Sequence, residues 1–160
     1  YGVDDAEMSA PPENRGATGD SFLDVLAALH DLSPEALGLS DLGKHDSYIG
    51  RQLKTWYRSW TASIEHAEYD DRRAHEFQEY FLAKMPEQGL IRVVHGDYGL
   101  HNTLIGKDGR VAAVVDWEIS TLGDPLADLG YALNQWSEPG DVIIGSPGGA
   151  TTVGGFALKQ

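Results

Sequence analysis

The sequence contains no cysteine, which excludes disulfide bonds, thiolate metal ligands and thiol nucleophiles. Basic residues are scarce, with 12 Lys and Arg against 25 Asp and Glu. The resulting net charge of −13 argues against a nucleic acid or an anionic membrane as a partner. No apolar run approaches the roughly 18 residues of a membrane-spanning helix, and no signal peptide is evident. These absences predict a cytoplasmic protein.

Two well-known motifs are also missing. There is no G-x-S-x-G elbow for a serine nucleophile and no G-x-x-x-x-G-K-[ST] loop for nucleotide phosphates. The glycine-rich stretch 145–159 is only superficially similar to a phosphate loop, and we interpret it as flexible. The length of 160 residues predicts one domain, and the apolar fraction of 41% is sufficient for a core.

A short β-hairpin is predicted near the middle of the sequence. Lys107-Asp108-Gly109 is a turn signal, because Gly109 can adopt a positive φ. The flanking segments are rich in β-branched residues, which favour strands. The predicted strands cover residues 91–94, 103–105 and 111–115.

Three oxygen-bearing side chains lie at the open end of this hairpin. Asp97 and Asn102 belong to the loop before it, and Asp116 ends its last strand. A three-residue turn with a glycine bulge places Asn102 opposite Val114, with Asp116 diagonal to it on the same face, and we predict this register. A two-residue turn places Asn102 opposite Val115 and turns Asp116 to the other face. In either register both residues lie beside the Asp97 loop, as Mg²⁺-dependent phosphoryl transfer requires.

Four amphipathic helices are predicted around the hairpin, at residues 20–32, 48–65, 71–84 and 125–136. The first three have N-cap candidates in Asp20, Ser47 and Asp70, and the last begins with Asp124 and Pro125. Their apolar residues recur at helical spacing and are expected to be buried. The expected buried positions are Phe22, Val25, Leu26, Leu29, Ala74, Phe77, Phe81, Met85, Leu126, Leu129, Leu133 and Trp136.

The second helix carries Trp56 and Trp60 in its apolar stripe. A packing face is the simpler interpretation, and a wall for a substrate ring or acyl chain is the alternative. Arg51, Lys54 and Arg58 form a basic patch on the polar side, which is either solvated surface or a contact for a substrate anion.

The segment His95-Gly96-Asp97, followed four residues later by Asn102, resembles the catalytic loop of kinase-like enzymes. The glycine at position 96, where protein kinases have Arg, makes this segment similar to the aminoglycoside phosphotransferase family in particular. Asp116-Trp117-Glu118 stands where protein kinases have Asp-Phe-Gly, 19 positions after Asp97. The sequence that follows, residues 119–130, is similar to the corresponding segment of the family branch found in acyl-CoA dehydrogenase-associated phosphotransferases.

The resemblance implies an α+β fold, the C-terminal lobe of a protein-kinase-like enzyme, mostly helical with a small β-hairpin that carries the catalytic loop. Residues 20–141 would form this lobe, residues 1–19 a loop or linker after an absent N-terminal lobe, and residues 142–160 a flexible truncated end. Nothing before Asp97 supplies a phosphate-covering loop and its lysine. We therefore expect little turnover from the isolated chain.

The resemblance also implies roles for individual residues. Asp97 is the expected catalytic base, and Asn102 and Asp116 are expected to bind Mg²⁺ and thereby ATP. His95 is expected to support the loop, and Asp128 to hold it through backbone hydrogen bonds. The expected partners are a nucleotide and a small hydroxyl-bearing molecule, either hydroxyacyl-CoA or an aminoglycoside-like compound. The oligomeric state is not predicted.

Two other interpretations stay open at this point. A metal-dependent hydrolase would use His95, Asp97, His101 and Asp116, although the histidine spacing is loose for a metal site. A non-catalytic interaction domain would have retained the fold without the chemistry.

Overall fold

The computed structural model describes residues 11–138, 150–152, 155–156 and 158. These residues form an α+β fold, as predicted, in which helices surround two small antiparallel sheets. The elements are α1 (Arg15–Asp31), α2 (Tyr48–Ala67), α3 (Arg72–Lys84), β1 (Arg92–Val94), β2 (Thr103–Ile105), β3 (Val111–Val114), β4 (Thr121–Gly123) and α4 (Pro125–Gln135). Short 3₁₀ turns occupy Pro12–Asn14, Leu100–Asn102 and Ala150–Thr152.

Helix α1 begins at Arg15, so Asp20 lies inside the helix and is not its N-cap. The first turns of α1 pack against the hairpin, where the buried Thr18 Oγ1 donates a 2.7 Å hydrogen bond to Gly109 O. These tertiary contacts sustain the helix through two glycines whose intrinsic propensity opposes it. The predicted apolar stripe is confirmed, because Phe22 and Leu26 are buried.

The predictions for the two chain ends are only partly covered by the described residues. Residues 12–19 are helical, so the loop predicted for residues 1–19 is wrong there, and residues 1–10 lie outside the described part. The predicted flexible end, 142–160, also lies mostly outside it.

Helix α2 begins at Tyr48 as predicted, but the Ser47 side chain does not cap it. Ser47 is left-handed, with φ 45°, and the Tyr48 N–H donates instead to Gln88 Oε1 at 2.6 Å. The N-cap of α3 is Asp71, whose carboxylate accepts from Arg73 N at 2.9 Å, so the prediction of Asp70 is wrong by one residue.

Asp70 has a different partner. Its carboxylate lies 2.7 Å from His75 Nε2, and His75 Nδ1 lies 2.6 Å from the Tyr57 hydroxyl. A carboxylate only accepts, so Nε2 donates to Asp70, while Nδ1 is hydrogen-bonded to the Tyr57 hydroxyl. This chain of hydrogen bonds joins α3 to α2.

Several aromatic side chains of α2 and α3 are exposed. Trp56 is 71% exposed, Phe77 57% and Phe81 49%, so the expected burial of Phe77 and Phe81 is wrong. An apolar stripe identifies the face of a helix that avoids water, but it does not identify what covers that face.

The turn of the β2–β3 hairpin has the predicted three-residue form. Gly106 N donates to Arg110 O at 2.7 Å, and Ile105 lies opposite Val111. Gly109 has φ 77°, which a glycine adopts without steric cost.

A β-bulge between Leu104 and Ile105 then shifts the pairing. Thr103 consequently lies opposite Val114, and Val115 N donates to Asn102 O at 2.9 Å. The predicted pairing of Asn102 with Val114 is therefore wrong, because the bulge inserts one residue that the turn motif does not reveal.

Helix α4 starts as predicted, with Pro125 at its first position and the Asp124 carboxylate accepting from Leu126 N at 3.0 Å. Its buried face carries Asp128 and Ala132, whereas Leu126 and Leu133 are exposed, contrary to prediction.

The core lies where α1, α4 and the loop after β1 meet, and it contains Phe22, Leu26, Tyr98 and Ala132. Tyr98 is fully buried, its ring lies 4.5 Å from that of Phe22, and its hydroxyl donates to Phe22 O at 2.7 Å. This contact fixes the loop that contains the candidate site. Among the described residues, no helix combines the length and apolar character that crossing a bilayer demands.

Candidate active site

The loop that follows β1 is anchored by a single carboxylate from α4. Asp128 Oδ2 accepts a 2.7 Å hydrogen bond from His95 N, and Oδ1 accepts a 2.8 Å bond from Gly96 N. His30 Nε2 lies 3.1 Å from Oδ2 and completes the set of partners. The Asp128 side chain is 1% exposed, so these bonds are shielded from water. The contact expected of Asp128 is therefore present.

Gly96 occupies a position that favours glycine for two reasons. Its φ is 87°, in the left-handed region that side chains disfavour. A Cβ built there would lie 3.2 Å from Ile119 Cδ1. The tight chain reversal places the next residue, Asp97, at the edge of the loop.

His95 uses both ring nitrogens inside the protein. Nε2 lies 3.0 Å from Val115 O, to which it donates, and Nδ1 accepts from Asp97 N at 3.3 Å. The side chain is fully buried. This geometry supports the loop and leaves no ring nitrogen for a metal, so the hydrolase interpretation loses one of its ligands.

The Asp97 carboxylate is oriented by Asn102. The Asn102 Nδ2 group donates to Asp97 O at 2.9 Å and to Asp97 Oδ2 at 3.0 Å. With its nitrogen engaged in this way, Asn102 keeps its carbonyl oxygen for another partner. The buried Asp97 Oδ1 lies 3.3 Å from His101 Nε2 but has no hydrogen bond of full geometry within the described chain.

The pKa of Asp97 reflects competing influences. Burial raises it, but the polar groups of Tyr131, His101 and Asn102 lower it by more, so the pKa lies below its usual value. Asp97 is therefore ionised at neutral pH and can accept a proton or a hydrogen bond. Burial and the Asp97 carboxylate in turn raise the pKa of Tyr131 to about 12.

Asp116 lies two residues beyond β3 and is exposed. It follows Val115, whose N–H donates to Asn102 O, so its backbone is adjacent to the end of the loop that contains Asp97. Its φ is 67°, a left-handed value that Asp tolerates better than most residues. The described residues form no hydrogen bond or ion pair with its carboxylate.

The donors present fit a hard divalent cation better than a transition metal. Asn102 contributes a carbonyl oxygen, and Asp116 contributes a carboxylate without a described partner. Oxygen donors of this kind suit Mg²⁺. No group of three or more His, Asp or Glu side chains within the described part has the spacing of a metal site.

Sequence reasoning did not predict the contacts of three residues in this neighbourhood, and it named His101 only as a ligand of the hydrolase alternative. Tyr131 and His101 both lower the pKa of Asp97, and His30 forms a hydrogen bond with Asp128. His101 is four positions after Asp97, but that spacing carries meaning only once the 3₁₀ turn at Leu100–Asn102 is known. Tyr131 lies on the face of α4 that carries Asp128, away from the leucine stripe from which the helix was predicted.

Several known proteins are similar to this chain in sequence. The sequence model of the phosphotransferase enzyme family (APH) matches residues 2–149. Acyl-CoA dehydrogenase family member 10 of Mus musculus is 36% identical over 123 residues, which is 76% of this chain and 11% of that protein. Acyl-CoA dehydrogenase family member 11 of Homo sapiens is 34% identical over 122 residues, which is 75% of this chain and 15% of that protein. The chain thus spans only a small part of these relatives.

Solved structures show the same relationship. A Ralstonia eutropha protein assigned provisionally as an aminoglycoside phosphotransferase is 36% identical, with a TM-score of 0.67 over 78% of this chain and 38% of that one. Macrolide 2′-phosphotransferase MphH from Brachybacterium faecium is 27% identical, with a TM-score of 0.51 over 76% of this chain and 38% of that one. With a family match over most of its length, the chain belongs to the phosphotransferase enzyme family.

Proposed function

We propose that this chain carries the catalytic loop of an ATP-dependent O-phosphotransferase that acts on a small hydroxyl-bearing molecule. The observation that carries the proposal is the state of Asp97. Its backbone and one carboxylate oxygen are held by His95 and Asn102, while its other oxygen lacks a full hydrogen bond. Such a carboxylate is prepared to accept the proton of an alcohol or to orient that alcohol.

The residues around Asp97 would have two roles, to bind Mg²⁺ and to hold the loop in position. Asn102 and Asp116 would hold Mg²⁺ through oxygen atoms, with His95 and Asp128 keeping the loop in place. Bound Mg²⁺ would supply the positive charge that offsets the phosphates of ATP. Local charge matters here because the chain itself is strongly acidic.

The names of the similar proteins leave the acceptor open. Relatives named acyl-CoA dehydrogenases favour a hydroxyacyl-CoA, and the structural neighbours favour an aminoglycoside or a macrolide. The hydrolase alternative is disfavoured because His95 has no free ring nitrogen.

The test is phosphate transfer from ATP by the protein expressed from the complete reading frame, assayed against hydroxyl-bearing metabolites. Asp97→Asn should lower kcat by about 10²–10⁴-fold, the usual contribution of a general base. Asp24→Asn, at an exposed aspartate of α1, is the matched control and should retain activity. Unchanged turnover by Asp97→Asn would remove Asp97 from the catalytic step.

A second measurement addresses the isolated chain. The sequence contains no phosphate-covering glycine motif with a lysine, so the 160 residues alone should show little turnover. A robust ATP-dependent rate from these residues would contradict this expectation.

A further inference from the structure

A cavity of about 480 Å³ opens between α2, α3 and the N-terminal half of α4. This volume lies within the range typical of small-molecule sites, roughly 300–1,000 Å³. We call it the helical groove, and six of its lining residues matter to the argument: Trp56, Trp60, Phe77, Phe81, Gly96 and Tyr131.

The walls of the helical groove are aromatic and accessible. Trp56, Phe77 and Phe81 are each about half exposed or more, and no described residue covers them. Phe77 and Phe81 stack on each other with ring centroids 5.9 Å apart, which gives the groove one continuous apolar wall. Contiguous exposed apolar surface on a folded protein commonly marks a binding site.

The groove is continuous with the candidate active site. Gly96, which precedes Asp97, and Tyr131, which acts on the Asp97 carboxylate, both line it. A molecule that extends along the groove therefore ends beside the group that we propose as the base.

The charge of the lining restricts what can bind. Among the described lining residues, Asp128 alone is formally charged, and its carboxylate is engaged by two backbone amides and His30. No carboxylate is therefore left in the groove for a ligand cation. The basic residues Arg51, Lys54 and Arg58 do not line it either.

We propose that the helical groove binds the body of the acceptor, and that this body is an uncharged aliphatic or aromatic group that carries the hydroxyl rather than a polycationic sugar. The proposal rests on the phosphotransferase function and specifies its substrate class. The apolar body lies between Trp56 and the Phe77–Phe81 wall, and the hydroxyl lies at Asp97.

Binding is measured first, without ATP, in the protein from the complete reading frame. The probes are straight-chain primary alcohols of increasing length, with an aminoglycoside as the polycationic comparison, and the signal is tryptophan emission. Each methylene that enters the groove should tighten Kd by about fourfold, as expected for removal of one CH₂ from water. The aminoglycoside should bind weakly or not at all.

Two variants of α3 form a matched pair. Phe77 and Tyr80 are both 57% exposed, but only Phe77 lines the groove. Phe77→Ala should weaken binding of the long alcohols by about tenfold. Tyr80→Ala should leave it unchanged, and both variants should fold because neither side chain is buried.

A Kd that does not change with chain length, tighter binding of the aminoglycoside, or equal effects of the two variants would overturn the inference. These outcomes do not depend on turnover, so they are separable from failure of the proposed function. Failure of that function would instead appear as unchanged phosphate transfer by Asp97→Asn.

Discussion

The Asp128 carboxylate accepts a 2.7 Å hydrogen bond from the backbone N–H of His95, 33 positions away in the sequence. Asp128→Ala would leave the buried amide of His95 and the partly buried amide of Gly96 without an acceptor. Each buried group left unsatisfied costs about 1–3 kcal/mol, so the free energy of unfolding should fall by at least that amount. Chemical denaturation measures the change.

The control for Asp128→Ala is Asp24→Ala, which removes an exposed aspartate of α1. The control should stay close to the wild-type stability. Equal stability of the two variants would show that the anchor contributes nothing to folding.

Substitution by alanine is expected to change the stability of the protein in opposite directions at Gly123 and at Gly130. A Cβ at Gly123 would lie 2.8 Å from the ring of Tyr48, which is buried, and 2.9 Å from Val94 Cγ2. Gly123→Ala should therefore destabilise the protein by about 1–3 kcal/mol through overpacking. At Gly130, inside α4, no described atom beyond the chain neighbours and the backbone of the helix itself lies within 4 Å of the added Cβ, so Gly130→Ala should stabilise by up to about 1 kcal/mol. Thermal unfolding of both variants decides the signs.

The Tyr131 side chain contributes to the lowered pKa of Asp97. Because the folded pKa of Asp97 lies below its usual value, its carboxylate stabilises the fold above the unfolded pKa, and this contribution is lost as the pH falls through the folded pKa. Tyr131→Phe should raise the pKa of Asp97, so this contribution should become smaller and its loss should be complete at a higher pH. Carboxyl-carbon NMR titration measures the shift.

Tyr57→Phe is the control, because Tyr57 lines the same groove but binds His75. It should leave the Asp97 titration unchanged. If the pKa of Asp97 stays constant or falls in Tyr131→Phe, then Tyr131 does not lower the pKa of Asp97 in the wild-type protein.

Thr18 links α1 to the hairpin turn. Its side chain is 1% exposed, and its hydroxyl donates to Gly109 O at 2.7 Å. Thr18→Val keeps the shape but leaves that carbonyl without its donor, so stability should fall by about 1–3 kcal/mol. Thr18→Ser retains the hydroxyl and should lose less, and hydrogen exchange of the hairpin amides would show whether the effect is local. A larger loss in Thr18→Ser than in Thr18→Val would contradict this account.

The local features of the candidate site could be predicted from the sequence. The spacing of Asp97 and Asn102 is a short-range property, and their side chains do meet. The hairpin turn and the start of α4 also follow from a few neighbouring residues, Gly109 and Asp124 among them. Features of this kind depend on backbone chemistry that a short sequence motif specifies.

The features that were missed depend on distant contacts. The bulge at Leu104 shifts Asn102 relative to its partner strand, and α1 starts early because Thr18 reaches Gly109. The exposure of Phe77 could not be read from periodicity, which is the same for a packed face and a ligand groove. The influence of Tyr131 on Asp97 likewise required coordinates, since the two residues are remote in sequence.

The left-handed backbone at Asp116 restricts which residues evolution can place there. Glycine, asparagine and aspartate are the types that accept this conformation readily, and aspartate alone among them adds a negative charge. A saturation library at this codon, selected only for a folded product, should therefore yield all three types. The same library selected for phosphate transfer should yield aspartate alone. The difference between the two selections would distinguish residues that only fit the backbone conformation from the residue that activity requires.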